Sequence, residues 1–415
     1  MTRENNNLKM EVIYFMNTVS VKILDNLYYM GVNDRETSLF ENMWPLPEGV
    51  AYNSYLITGE KTALLDTVKI TKVDGFIDTL KNNLDGRDLD YIVIHHMEPD
   101  HSGCITTVMD LYPNVTIVTN KKARAMMDDY LDVEIKNYIE VKNGDVLDLG
   151  DMQLNFVMTP MVHWPESMVS YEPNNKILFS QDIFGGYGAL NGTIFDDEMN
   201  FEFFRDEIRR YYSNIVGKYS KQAARALEKV KTLDINIICP VHGIVWRTNP
   251  EKIIDEYVKL ANQENEEGVV IVYGSMYGNT ERMADQLARF LAEEGIKNIK
   301  IYDVSKVDVS YILSDIWKYR GVVLGSCTYN NSVYPKMNQL LYTLKMNKLT
   351  NHALGIFGSY GWSGGSVKEL TEFASEGGDF EIAPTIVETR GSMKEEDIEG
   401  LRTMASELAE LIKRG

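Results

Sequence analysis

The chain has 415 residues, a formal net charge of −19 and three cysteines, with 44% hydrophobic and 25% charged residues. That balance is ordinary for globular proteins and excludes a fibrous or largely disordered chain, and a pI near 4.8 argues against nucleic acid or an anionic membrane as partner. Cys104, Cys239 and Cys327 lie far apart and form no CxxC pair, which speaks against a disulfide framework or a cysteine-held metal. No run approaches the roughly 20 apolar residues of a membrane span, and the opening MTRENNNLKM lacks a signal-peptide apolar region. The expected location is cytoplasmic.

The first part of the chain is rich in short strands. Strands are expected at residues 51–58, 62–68, 91–95, 115–118, 153–158, 168–171 and 176–180, with helices at 73–84, 201–218 and 222–233. These suggest an α/β sandwich. The acidic, polar stretch at residues 261–268 reads as a linker, which divides the chain into domains at 1–265 and 266–415. The second part alternates strand and helix, with strands at 269–273, 299–304, 321–325, 353–357 and 382–387 and a last helix at 395–413. Continuous apolar runs such as Val-Val-Ile-Val-Tyr at 269–273 are those of parallel strands buried on both faces. Five of them between helices give a doubly wound α/β domain.

Six histidines occur in the chain, and three of them fall in His95-His96-Met97-Glu98-Pro99-Asp100-His101, just after an apolar strand. His96, Glu98, Asp100 and His101 can converge from one loop on a dinuclear metal centre. His163, Asp182 and His242 each follow a strand-like run and complete a ligand set. His95 alternates away from His96 in an extended strand, and His352 lies in the second domain; both are read as structural or exposed.

Three loops of the second domain carry a different chemistry. Ser275-Met276-Tyr277-Gly278-Asn279-Thr280 joins the first strand to the first helix, where hydroxyls and free N–H groups suit a phosphate. Cys327-Thr328-Tyr329-Asn330-Asn331 and Ser359-Tyr360-Gly361-Trp362-Ser363-Gly364 follow later strands. Ligands of open α/β sheets bind at these carboxyl ends, and the loop aromatics suit stacking on a flat ring. No GxGxxG is present in the first loop, which favours a mononucleotide over a dinucleotide.

His-x-Glu-x-Asp-His followed by separate His, Asp and His resembles the metallo-β-lactamase fold, with Glu98 where dizinc hydrolases carry a second histidine. The added carboxylate favours iron over zinc. With a flavodoxin-like domain attached behind it, the chain resembles the flavodiiron proteins over nearly its whole length beyond the first twenty residues or so. The resemblance implies an N-terminal metallo-β-lactamase-like αββα sandwich followed by a C-terminal flavodoxin-like doubly wound parallel sheet. His96, Glu98 and His163 would hold the iron nearer the flavin, Asp100, His101 and His242 the other, with Asp182 bridging. The cofactors would be FMN and two iron ions, with FMN in the three loops. Tyr212 matches the family's pocket tyrosine. Some members place a histidine from the N-terminal segment in that pocket; this chain has none before His95, and Phe40 falls near that position.

The activity implied is reduction of O2 to water, or of NO to N2O. The electron donor would be external, since the chain holds no rubredoxin-type pair of CxxC motifs. A rubredoxin is the leading candidate and a reduced deazaflavin the second. The family pairs chains head to tail, which implies a homodimer or a homotetramer. A zinc hydrolase would instead show zinc and ester hydrolysis, and a pure electron carrier would show flavin cycling without gas consumption.

Overall fold

The computed structural model describes residues 20–414, so the opening MTRENNNLKM lies outside the described residues. In the first half, two sheets share one core. The seven-stranded sheet runs in the order Val21–Leu24, Leu27–Tyr29, Tyr55–Thr58, Thr62–Leu65, Tyr91–Val93, Thr116–Thr119, Tyr138–Glu140. Its first four strands pair antiparallel and the rest join in parallel. The five-stranded sheet runs Val146–Asp148, Gln153–Met158, Met168–Glu172, Ile177–Gln181, Ile237–Pro240. The two meet through apolar side chains, with the ring of Tyr55 on one sheet 5.6 Å from Phe179 on the other.

The strand directions collect the loops. Gln153–Met158 is antiparallel to Met168–Glu172, which is antiparallel to Ile177–Gln181, and that strand is parallel to Ile237–Pro240. The strands preceding His163, Asp182 and His242 therefore all end on one edge of the sheet. The loop after Tyr91–Val93 reaches the same edge, where Met168 N–H donates to His95 O at 3.1 Å.

The second half is a parallel sheet in the order Ile299–Asp303, Glu266–Gly274, Tyr319–Cys327, Leu349–Tyr360, with Gly378–Ile382 and Val387–Arg390 both beside the last. Counted within the domain this is 2-1-3-4-5, the flavodoxin-like order.

Helices Val73–Leu84 and Glu395–Lys413 have the bounds that their apolar periodicity predicts. The strand expected at 62–68 stops at Leu65, the linker expected at 261–268 shrinks to residues 263–265 between helix Pro250–Asn262 and strand Glu266–Gly274, and three further segments differ in kind. Residues 51–58 are two strands, Val50–Tyr52 and Tyr55–Thr58, in different sheets. The break is held by Asn53, whose Nδ2 donates to the carbonyls of Pro240 and Gly243, both at 2.9 Å. Residues 382–387 are a break rather than a strand: Pro384 lacks the N–H that a ladder needs, and Thr385 N–H turns to Glu407 at 2.8 Å. The helix expected over 201–218 is α-helical only at Phe201–Tyr211, then continues as a π-turn at Tyr212–Val216 and a 3-10 turn at Gly217–Tyr219.

Candidate functional site

The ligand candidates form two adjoining groups. His96, Glu98, His163 and Asp182 bring one ligand atom each within 4.8 Å of one another, and Asp100, His101 and His242 do the same. Asp182 lies between them. Its Oδ2 faces His96 Nε2 and His163 Nε2, both at 3.4 Å, while Oδ1 faces His101 Nε2 at 3.3 Å and His242 Nε2 at 3.6 Å. One carboxylate thus offers one oxygen to each group.

Two of the four imidazoles are turned inward by what they bond on their other side. His96 Nδ1–H donates to Glu166 Oε1 at 2.7 Å, and His242 Nδ1–H donates to the Ala51 carbonyl at 2.8 Å. Such outer bonds fix the ring and leave Nε2 for a metal. Glu166 Oε1 also accepts from Met97 N–H at 3.0 Å, which ties the ligand loop to the His163 loop.

The chemistry of this donor set asks for cations. All of these side chains are buried except Asp100, which is half-buried. Both Asp100 oxygens, Asp182 Oδ1 and His101 Nδ1 are buried without a hydrogen-bond partner. His101 Nε2 and His242 Nε2 stand 3.1 Å apart, a close approach of two ring nitrogens that a proton or a metal cation between them satisfies. Burial opposes ionisation of the carboxylates, yet the facing imidazoles hold Glu98 and Asp182 well below the usual carboxylate range. Burial likewise opposes charge on His96 and His101, but Glu166 and Glu98 raise the first to about 10, and Asp100 and Asp182 the second to about 9. The site is built to balance buried negative charge against positive charge. Mixed imidazole and carboxylate donors suit iron.

Above the groups lies a cavity of about 550 Å³ whose walls include Phe40, Glu41, Tyr52, Lys69, Glu98 and Asp100. Tyr211 packs against the ligand groups. Its ring lies 5.4 Å from that of His242, and its buried hydroxyl has no hydrogen-bond partner. Burial pushes that phenol well up, and the charges of Asp182, Glu98 and Asp100 reinforce the shift. Tyr212, the residue expected here, turns the other way. Its hydroxyl pairs with Ser220 Oγ at 3.1 Å, and its ring packs on Tyr257 and Trp317. One residue along a helix turns the side chain by about 100°, so only one of the two adjacent tyrosines can face the ligands. Phe40 does reach the site, with its ring 5.5 Å from that of His242.

His95 is buried and structural, bonding Asp66 at 2.7 Å and Ser170 at 2.8 Å on the face opposite His96. His352 is buried as well, against the carbonyls of Thr350 and Ile316. Glu166, Tyr211 and Glu41 are the site residues that the sequence reading missed. Glu166 carried a signal, an acid three residues after His163.

The three loops of the second half enclose a second cavity, of about 480 Å³. Every expected loop residue lines it except Gly278 and Gly364, with Gly391 in addition. Gly278 shapes the first loop instead: it has φ of 88°, and its N–H donates to Ser275 Oγ at 3.0 Å. Gly391 N–H donates to the Tyr360 carbonyl at 2.9 Å. The first loop runs into the N-terminus of helix Asn279–Glu293, whose first residues Asn279 and Thr280 line the cavity and which no side chain caps. Tyr277 and Trp362 are each 88% exposed, aromatic surface that a flat ring can cover. Hydroxyls, amides and rings around this volume fit FMN.

Residues 50–243 match the family described as ODP family beta lactamase, and residues 271–399 match flavodoxin. The chain is 35% identical to the anaerobic nitric oxide reductase flavorubredoxin of Escherichia coli over 370 residues, covering 88% of this chain and 77% of that one. It is similar in structure to rubredoxin oxygen:oxidoreductase from the anaerobe Desulfovibrio gigas, with a TM-score of 0.91 and 33% identity over 95% of this chain and 99% of that one. The flavodiiron protein of Giardia intestinalis gives a TM-score of 0.90 at 26% identity, covering 95% of this chain and 97% of that one. Its two matched domains, its relatives and its solved neighbours agree, and the chain belongs to the flavodiiron family.

Proposed function

We propose that the protein is an oxidoreductase that reduces O2 to water, and NO to N2O, at a pair of irons fed with electrons through FMN from an external donor. The observation that carries this reading is the division of Asp182 between two ligand groups, each oxygen facing its own pair of imidazoles. His96, Glu98 and His163 would hold one iron, Asp100, His101 and His242 the other, with Asp182 bridging. When bound, FMN passes electrons singly and the irons offer open positions to a diatomic gas. The protein's own residues do the rest. Phe40 and Tyr52 wall the cavity and restrict water, Tyr211 carries an unpartnered hydroxyl on a ring packed against His242, and Glu166 holds His96 in the tautomer that leaves Nε2 inward.

Rubredoxin is the proposed donor, in keeping with the names of the two relatives. A head-to-tail homodimer or homotetramer is supported by the exposed apolar rim of the flavin cavity, Met276, Tyr277, Tyr329 and Trp362, a surface that a partner chain would cover. The domain division is proposed at 265/266, between helix Pro250–Asn262 and strand Glu266–Gly274. Three free, buried cysteines support a reducing, cytoplasmic setting. Among the described residues no helix is long and apolar enough to cross a membrane.

The deciding experiment reduces the iron-loaded protein anaerobically, mixes it rapidly with O2 or NO, and follows flavin reoxidation. Rapid reoxidation by O2 marks an oxygen reductase, and repeated turnover yielding N2O marks a nitric oxide reductase. Failure of both gases would overturn the reading.

A further inference from the structure

The cavity above the irons carries a carboxylate that the ligand set does not use. Glu41 stands at the turn between strands Leu39–Phe40 and Trp44–Pro45, with φ of 49°. Its outer side is exposed, yet it lines the cavity together with Glu98 and Asp100. Its Oε2 accepts from Trp44 Nε1 at 3.1 Å, a bond within its own hairpin that fixes the side chain without engaging a ligand.

Reduction of either gas consumes protons as well as electrons: four of each for O2 to two waters, and two of each for a pair of NO to N2O and water. The other polar groups on the wall are poor sources. Lys69 Nζ donates to Thr37 Oγ1 at 2.9 Å and faces Asp34 at 4.0 Å, and Glu36 is held by Lys72 at 2.7 Å. Burial drives the Tyr52 phenol far up, with Asp100 and Asp34 adding to it. Phe40 and Pro99 have no proton to give. Ligands aside, Glu41 is the acid among the described cavity residues that is exposed to solvent and paired with no lysine or arginine, and it lines the cavity beside Glu98 and Asp100. Burial raises its proton affinity and the charges of Glu98 and Asp100 raise it further, against His163 and the Trp44 bond, which lower it.

We propose that Glu41 hands protons from solvent to the gas being reduced. Its carboxyl O–H bond breaks as an O–H bond forms on an oxygen atom of the gas. The carboxylate left behind takes its next proton from water at the cavity mouth. Electrons arrive from the external donor through FMN, so this inference rests on the function proposed above.

The test uses iron-loaded holoprotein carrying Glu41→Gln or Glu41→Asp. Iron and FMN per chain and the rate of flavin reduction should match the wild type in both. Gas-driven reoxidation should fall by about 10²-fold in Glu41→Gln, the typical share of a general acid, and partly recover in Glu41→Asp. The wild-type rate should decline as pH rises through the Glu41 titration, and the glutamine variant should lose that limb. Added acetic acid, small enough for the cavity, should speed the glutamine variant and leave the wild type unchanged. An infrared pH titration of the protein should show a carboxyl band that Glu41→Gln removes. Wild-type rate and pH profile in Glu41→Gln, or loss of iron from it, would overturn the assignment. A wild type that consumes neither gas would instead defeat the underlying function, while the infrared titration would still report whether Glu41 holds a proton.

Discussion

Asp182 is the single side chain on which both ligand groups depend. Replacing it by alanine removes an oxygen from each, and the flavin cavity shares no residue with either group. Asp182→Ala is therefore expected to lose iron and gas reduction while binding FMN normally, as read by iron per chain and flavin absorbance. Full iron with full activity would sink the bridging role. Glu166→Gln keeps an acceptor for His96 Nδ1–H but removes the charge behind it, and should lower iron affinity or activity about 10–100-fold. The two adjacent tyrosines separate structure from chemistry. Tyr212→Phe removes a hydroxyl paired with Ser220, so it should cost about 1 kcal/mol in chemical denaturation and leave gas reduction intact. Tyr211→Phe removes a buried hydroxyl with no partner, so stability should hold or rise slightly while gas-driven reoxidation slows. The reverse pattern would return the pocket role to Tyr212.

At the scale of elements, the flavin loops separate backbone shape from contact. Gly278 has φ of 88°, and a Cβ there would meet only the flexible ends of Arg282 and Glu281 at 3.5 and 3.8 Å, so Gly278→Ala should cost about 1 kcal/mol from conformation alone. It should also weaken FMN binding, with the iron site unaffected. Trp362 is so exposed that Trp362→Ala should leave stability unchanged; loss of ring stacking worth about 1–3 kcal/mol should weaken FMN about tenfold or more by flavin titration. Unchanged affinity would remove Trp362 from the stacking role. The elements that a sequence reader can find are those whose cause is local. Seven consecutive residues hold four candidate ligands, and apolar periodicity marks a helix near Val73–Leu84, where the structure has one. What escapes has a remote cause. Asn53 splits a strand because it bonds Pro240 and Gly243, far along the chain. The π-turn at Tyr212–Val216 packs Tyr212 against Trp317, far along the chain, and no periodicity could tell Tyr211 from Tyr212. Glu41 reads as an ordinary turn acid until the hairpin folds it over the ligands.

At the scale of the molecule, the two halves are one body rather than two on a tether. One apolar cluster runs from the sandwich strands through Tyr212 and Tyr257 to Ile312, Ile316 and Trp317 of the second domain, while a separate cluster that includes Val269, Leu287 and Leu408 lies within the second half alone. Arg210 is buried between the rings of Tyr187 at 4.5 Å and Tyr311 at 4.6 Å, and Arg209 Nε donates to the Ser314 carbonyl at 3.1 Å. The polar stretch that reads as a linker is tied down too. Gln263 Oε1 accepts from Thr350 N–H at 2.8 Å, and Asn265 Nδ2 donates to the Trp317 carbonyl at 3.1 Å. Interfaces between domains are usually more polar and allow relative motion; a shared core instead couples unfolding of one half to the other. Iron absorbance and flavin fluorescence should thus be lost in one coincident denaturant transition. Trp317 is buried and donates Nε1–H to the Leu260 carbonyl at 3.0 Å, so Trp317→Ala should cost about 3–5 kcal/mol and shift both signals together. Two separate transitions, or a shift confined to the flavin signal, would show that the halves fold independently.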